Sequence, residues 1–167
     1  MLTKSEFLAF LEREAATLSH LISKLQPQHL AFRLSPTQRS TEELMRYLAT
    51  QWTGSISYFL SGNWDGWEAS ATAAANVTPA TFAAAMARQV AEIRALLEPL
   101  SEADFAARAS KDPTGNPMPL ANAIFSGTVA WTAGYKMQLF LQLKAAGLSD
   151  LGSSNLWWGV ERKAATA

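Results

Sequence analysis

The residues of this chain best equipped for chemistry by type and spacing are aromatic and amide. Trp131, Tyr135 and Gln138 follow one another at intervals of four and three, so on a helix an indole, a phenol and an amide stack on one face. The phenol and the amide both donate and accept hydrogen bonds, whereas the indole only donates. The two imidazoles fit a shared task less well. His20 and His29 are nine positions apart, which is not the one-turn spacing that lets two histidines hold a metal from one helix face. Both read as structural histidines. Glu12, Glu14, Glu42 and Glu43 supply carboxylates, and charged helix faces are usually solvated. Glu43 is four residues before Tyr47 and within helical reach of its hydroxyl. The chain has no cysteine, which removes disulfides, thiolate nucleophiles and cysteine-ligated metal sites. No cofactor and no metal ligand set is read from these residues.

Long helices must position such groups. Phe7, Leu11, Ala15, Leu18, Ile22 and Leu25 recur at helical intervals and predict a helix from Ser5 to Leu25, ended by Pro27. Ser40-Thr41-Glu42-Glu43 is a capping box that opens a second helix to about Ser61, with Leu44, Tyr47, Leu48, Gln51, Ser55 and Tyr58 or Phe59 facing inward and Gly62-Asn63 as the stop. Thr78-Pro79 starts a third, whose stripe is Phe82, Met86, Val90, Ile93, Leu97 and Leu100. The last long helix spans about Leu120 to Ala146, capped by Gly147. No strand pattern is expected, and 63–77, with Trp64 and Trp67, reads as an irregular loop across one end. The expected fold is all-α, a four-helix bundle, in one domain over 1–167 with a flexible tail from about 160. Asn155 to Gly159, with Trp157 and Trp158, reads as a segment packed back on the domain or on a neighbouring subunit.

Composition limits the partners. The 167 residues, 49% of them hydrophobic, suffice for one buried core. With 14 acidic and 14 basic side chains there is no field for phosphate backbones, so nucleic acid is not an expected partner. No run approaches the length of a membrane span, and the N-terminus lacks a leader pattern, so a cytoplasmic protein is expected. Phe125, Val129, Leu139, Phe140, Leu141 and Leu143 put apolar groups on more than one face of the last helix, which predicts a homodimer.

Two segments carry a family resemblance. Phe32-Arg-Leu-Ser-Pro36 followed by Arg39-Ser-Thr-Glu-Glu-Leu-Met-Arg-Tyr47-Leu48 resembles the proline-bearing lead-in and second helix of the DinB-like (YfiT-like) superfamily of metalloenzymes. Gly115-Asn-Pro-Met-Pro-Leu120, and then Trp131-x-x-x-Tyr135-Lys-Met-Gln138-Leu through to Gly147, are similar to its last helix. The similarity spans nearly the whole chain up to Gly147. It implies a four-helix bundle, commonly homodimeric, with three histidines around a divalent metal near one end; some relatives are thiol-dependent transferases or isomerases. Here the three ligand positions fall on Tyr47, Trp131 and Tyr135, while Gln138 is kept and Lys136 and Met137 replace arginine and glycine. An indole cannot ligate, and a phenol ligates only when ionised.

The resemblance thus implies that Tyr47, Trp131, Tyr135 and Gln138 share one degenerate metal site, and two readings of it stand side by side. In one, large rings have filled a vacated pocket. In the other, two phenols and an amide face a cavity that takes a small organic ligand. Three functions follow: a DinB-like binding or structural module without the metal, a thiol-dependent transferase or isomerase using an external thiol and either an unconventional metal site or the phenols of Tyr47 and Tyr135 as general acids, and a dimeric interaction protein.

Overall fold

A computed structural model describes residues 3–161. Its first helix, α1 (Lys4–Ile22), opens on a capping box in which the Thr3 hydroxyl accepts from the Glu6 amide and the Glu6 carboxylate accepts from the Thr3 amide. It stops three residues earlier than periodicity predicts. Pro27 does not end it but occupies the first turn of a short helix, α2 (Pro27–Leu30), where its missing N–H costs nothing. His29 is buried there and its Nδ1 accepts from the Gln26 amide at 3.1 Å, a structural role.

The central element is α3 (Thr41–Ser61), which begins at the expected box, Ser40 with Glu43, and ends on Gly62 in the left-handed region at φ 78°. Where the alternation of Gly, Asp and Ala suggests a loop, the chain instead forms α4 (Asp65–Ala74) and lays it along α3. The reason is a small-residue contact. A Cβ on Gly54 of α3 would stand 2.6 Å from the Trp67 indole, so that glycine is what lets Trp67 lie on the α3 backbone. Alanine-rich sequence then supplies helix propensity that the scattered polar residues obscure. Thr78-Pro79 also acts differently from expectation: it forms a turn, with the Thr78 amide donating to the Thr81 hydroxyl at 3.0 Å, and α5 (Phe82–Leu97) starts beyond it.

Between α6 (Glu102–Ala107) and the last long helix lies a hairpin that the pattern gives no warning of. Strands β1 (Ala109–Lys111) and β2 (Pro117–Pro119) pair antiparallel with Ser110 opposite Met118. Three residues per strand are too few to show alternation. The turn is held by the Asp112 carboxylate, which accepts from the amides of Thr114 (2.8 Å) and Asn116 (2.9 Å).

The helix expected from Leu120 to Ala146 is present but interrupted. It runs as α7 (Leu120–Ile124), one π-helical stretch from Phe125 to Val129, and α8 (Ala130–Ala145). Gly127 in that stretch lies against Phe59 so closely that a Cβ would collide with the ring. Finally α9 (Ser153–Trp158) packs against α1 and α8. Val160 and Glu161 are held rather than loose, Glu161 by an ion pair with Lys24; the rest of the expected tail, 162–167, lies outside the described residues.

The described chain is therefore mostly helical, with α1 packed on α5, and α3 packed on α4, α5 and α8. Its core is one cluster that includes Phe7, Leu11, Leu48, Trp52, Phe82 and Leu139. No helix among the described residues is long and apolar enough to cross a membrane.

Candidate functional site

The antiparallel contact of α3 with α8 sets the site. Tyr47, in the second turn of α3, and Tyr135, in the second turn of α8, meet with ring centroids 4.6 Å apart and planes inclined at 59°. Both rings are half-buried. Trp67 of α4 completes one side, 5.8 Å from Tyr47, and continues through Trp64 to Tyr58 at 5.8 and 4.2 Å. Over the Tyr47 ring lies the Arg39 guanidinium, 4.1 Å from its centroid and 5.8 Å from that of Tyr135. Planar guanidinium on an aromatic face is a favourable stacking and cation–π arrangement.

Trp131 and Gln138 occupy the same helix as Tyr135, one turn to either side, and both are half-buried. The ring that meets Tyr47 from outside α8 is Trp67, a residue that sequence reading leaves in a loop. Arg39 is the other participant that the residue pattern does not single out. Its only sequence signal is its place directly before the Ser40 cap, which holds it beside the first turns of α3.

The electrostatics favour a neutral Tyr47 phenol. Burial, with the Tyr135 phenol beside it, pushes the Tyr47 phenol above its ordinary value, and the nearby Arg39 charge only partly offsets this. Glu43 does not reach Tyr47 as helical spacing allows. It forms a two-pronged pair with Arg33, Nη1 to Oε2 and Nη2 to Oε1 both at 2.8 Å, and accepts from the Ser40 amide, which holds its carboxyl at about 2.

A buried polar layer lies one turn deeper. Gln51, fully buried, donates through Nε2 to the carbonyls of Thr128 (3.3 Å) and Gly127 (3.5 Å) in the π stretch, while its Oε1 has no partner. Ser55 and Thr128 share a hydroxyl contact at 2.8 Å, and Thr132 accepts from the Trp52 indole at 2.8 Å and donates to the Thr128 carbonyl at 2.6 Å. The π turn frees carbonyls from the helical ladder, and the side chains of α3 take them up. Gln51 and Ser55 are legible as an inward stripe; Thr128 and Thr132 are not, because small hydroxyls amid Ala and Gly carry no pattern.

One turn on from Thr132 along α8, Lys136 and Glu14 form an ion pair at 2.7 Å with side chains only 3% and 8% exposed. Glu14 is thus no solvated carboxylate. Trp157 of α9 lies over the ammonium, 4.9 Å from Nζ. His20 sits at the same docking surface, where its Nε2 is 3.0 Å from the Asn155 amide nitrogen, and burial followed by the Lys24 charge lowers its pKa.

Tyr47, Trp131 and Tyr135, the positions that the resemblance assigns to ligands, do not suit a divalent metal. Trp131 can only donate, and a phenol made harder to ionise is a poorer ligand than an unperturbed one. Among the described residues no three His, Cys, Asp or Glu side chains converge as a ligand set. The arrangement can instead stack, donate hydrogen bonds and present one positive charge. No family model, curated protein or solved structure matches this chain.

Proposed function

We propose that the chain is a DinB-like four-helix bundle whose metal-site position has become an aromatic and amide site, Tyr47, Trp131, Tyr135 and Gln138, and that it acts as a small-molecule-binding module. The observation that supports this most directly is the ring contact of Tyr47 with Tyr135 across α3 and α8, two positions far apart in the chain that the resemblance pairs as metal ligands. The Tyr47 phenol keeps its proton and so acts as a donor. That same property argues against the transferase or isomerase reading, because a phenol pushed above its ordinary pKa is a weak general acid near neutral pH.

Two measurements test the proposal. Ligand-observed NMR against a set of small aromatic fragments should show binding that Tyr47→Ala and Tyr135→Ala abolish; if no fragment perturbs the site, the binding reading fails. The family assignment is tested separately by replacing Tyr47, Trp131 and Tyr135 together with histidine. Three imidazoles in the family geometry should take up zinc or nickel stoichiometrically. A folded triple variant that binds neither refutes the alignment.

A dimeric form is favoured by one further observation. Phe125 and Leu141 are 64% and 50% exposed on the last long helix, and the sole charge between them, Lys136, is turned inward to Glu14. We assign this uncharged face to a two-fold helix-to-helix contact in the cytoplasmic homodimer expected from sequence.

A further inference from the structure

The chemical class of the ligand can be read from the charge and donor balance of the site. Arg39 is exposed, yet its guanidinium lies over the Tyr47 ring and within 5.8 Å of the Tyr135 centroid. Its neighbours have committed partners: Arg33 is paired with Glu43, and Arg46 with Glu42 at 2.6 Å. Arg39 has no carboxylate partner among the described residues. A guanidinium over a ring has five N–H donors, and those directed away from the ring stay open to a ligand. A carboxylate engages such donors with two parallel hydrogen bonds.

The surrounding groups add donors and no negative charge. Arg39 is the charged side chain that acts on the Tyr47 phenol, and no carboxylate acts on it. Glu43, the acid nearest in sequence, is neutralised by Arg33. Tyr47 and Tyr135 bring two hydroxyls and Gln138 a half-buried amide without an intramolecular hydrogen bond among the described residues. A cationic ligand would meet Arg39 as a like charge, and a neutral one would leave its open donors to water.

We infer that the Tyr47–Tyr135 site binds a small organic carboxylate, held by the stacked Arg39 guanidinium and the adjoining phenols. This rests on the ligand-binding reading given above and adds the charge class. The carboxylate lies in the guanidinium plane, and the apolar body of the acid lies along the half-buried rings of α8.

Benzoate is a suitable probe, with benzamide as an isosteric neutral control and benzyltrimethylammonium as a cationic one. The proton and side-chain nitrogen resonances of Tyr47, Tyr135 and Arg39 are followed by NMR during titration of the full chain. Benzoate should shift all three residues saturably and bind about tenfold or more tightly than benzamide, the amount expected of a charge-assisted pair. Arg39→Gln should erase that preference. Arg39→Lys, which keeps the charge but not the fork, should recover only part of it. Arg39 is exposed, so neither variant threatens the fold. Equal binding of benzoate and benzamide, an unchanged benzoate affinity in Arg39→Gln, or preferential binding of the ammonium with displacement of Arg39 would each overturn the carboxylate assignment while leaving a ligand site in place. Resonances that no probe moves would overturn both it and the binding reading.

Discussion

Removing the carboxylate of Glu14 should be among the most damaging single changes in this protein. The pair it forms with Lys136 is 2.7 Å long and its side chains are 8% and 3% exposed, so water cannot take the place of a lost partner. Glu14→Gln keeps the shape of the side chain and strands an ammonium beneath Trp157. Breaking a buried pair in this way costs roughly 3–5 kcal/mol, a large share of the roughly 5–15 kcal/mol that holds a domain folded. Replacing both members behaves differently. Glu14→Leu with Lys136→Met removes two desolvated charges together, and a double variant of this kind is typically as stable as its parent or more so by about 1–4 kcal/mol. Urea unfolding followed by circular dichroism gives both numbers, provided the slopes of the transitions match. The reasoning fails if Glu14→Gln costs less than about 1 kcal/mol, a surface-pair value, or if the double variant is no better than the single one.

Further outcomes follow from other parts of the structure. Trp52→Ala should cost about 3–5 kcal/mol in the same assay, because it empties a fully buried site and removes the indole donor to the Thr132 hydroxyl; a cost under 1 kcal/mol contradicts the core described. The Glu43 carboxyl, held at about 2 against an ordinary 4.5, should titrate by carbon-detected NMR near the lower value. Since a depressed folded pKa contributes stability above 4.5 that is lost as the pH falls toward 2, Arg33→Gln should move the midpoint up; an unshifted midpoint in that variant assigns the effect elsewhere. His20, whose pKa lies below its ordinary 6.5, contributes in the same sense: stability is present above 6.5 and declines as the pH falls through the folded value, and His20→Gln should flatten that decline. Light scattering should return the mass of two chains, and Phe125→Asp with Leu141→Asp the mass of one; a monomeric parent removes the dimer proposal.

Long helices were the legible part of this fold because their signals are redundant. The Ser40–Glu43 box and the apolar stripe of α3 each mark the same element. What stayed hidden depends on contacts between distant residues. Trp67 is ordered by the missing side chain of Gly54, which no local pattern records. The hairpin is pinned by a single carboxylate, Asp112, over strands too short to alternate. Glu14 looks like any other acid of α1 until Lys136 is brought to it from 122 positions away. At the site, the pairing of Tyr47 with Tyr135 was expected only through resemblance, and the guanidinium that overlies them gave no signal beyond its place before a helix cap.

The π turn has a consequence for how this helix is compared with others. It holds one residue more than an α-helical turn would, so every position after Val129 is rotated by ~100° relative to a continuous helix counted from Leu120. Counting from the hairpin, an unbroken wheel would direct Tyr135 away from α3 and bring a neighbour of it inward. A relative that shares this geometry without the π turn must therefore be one residue shorter between its hairpin and its Tyr135 equivalent. An ungapped alignment through this stretch would pair the right helices with the wrong faces, whereas deleting Ser126 from this chain would turn the π stretch into an α-helical one and leave Tyr135 facing α3.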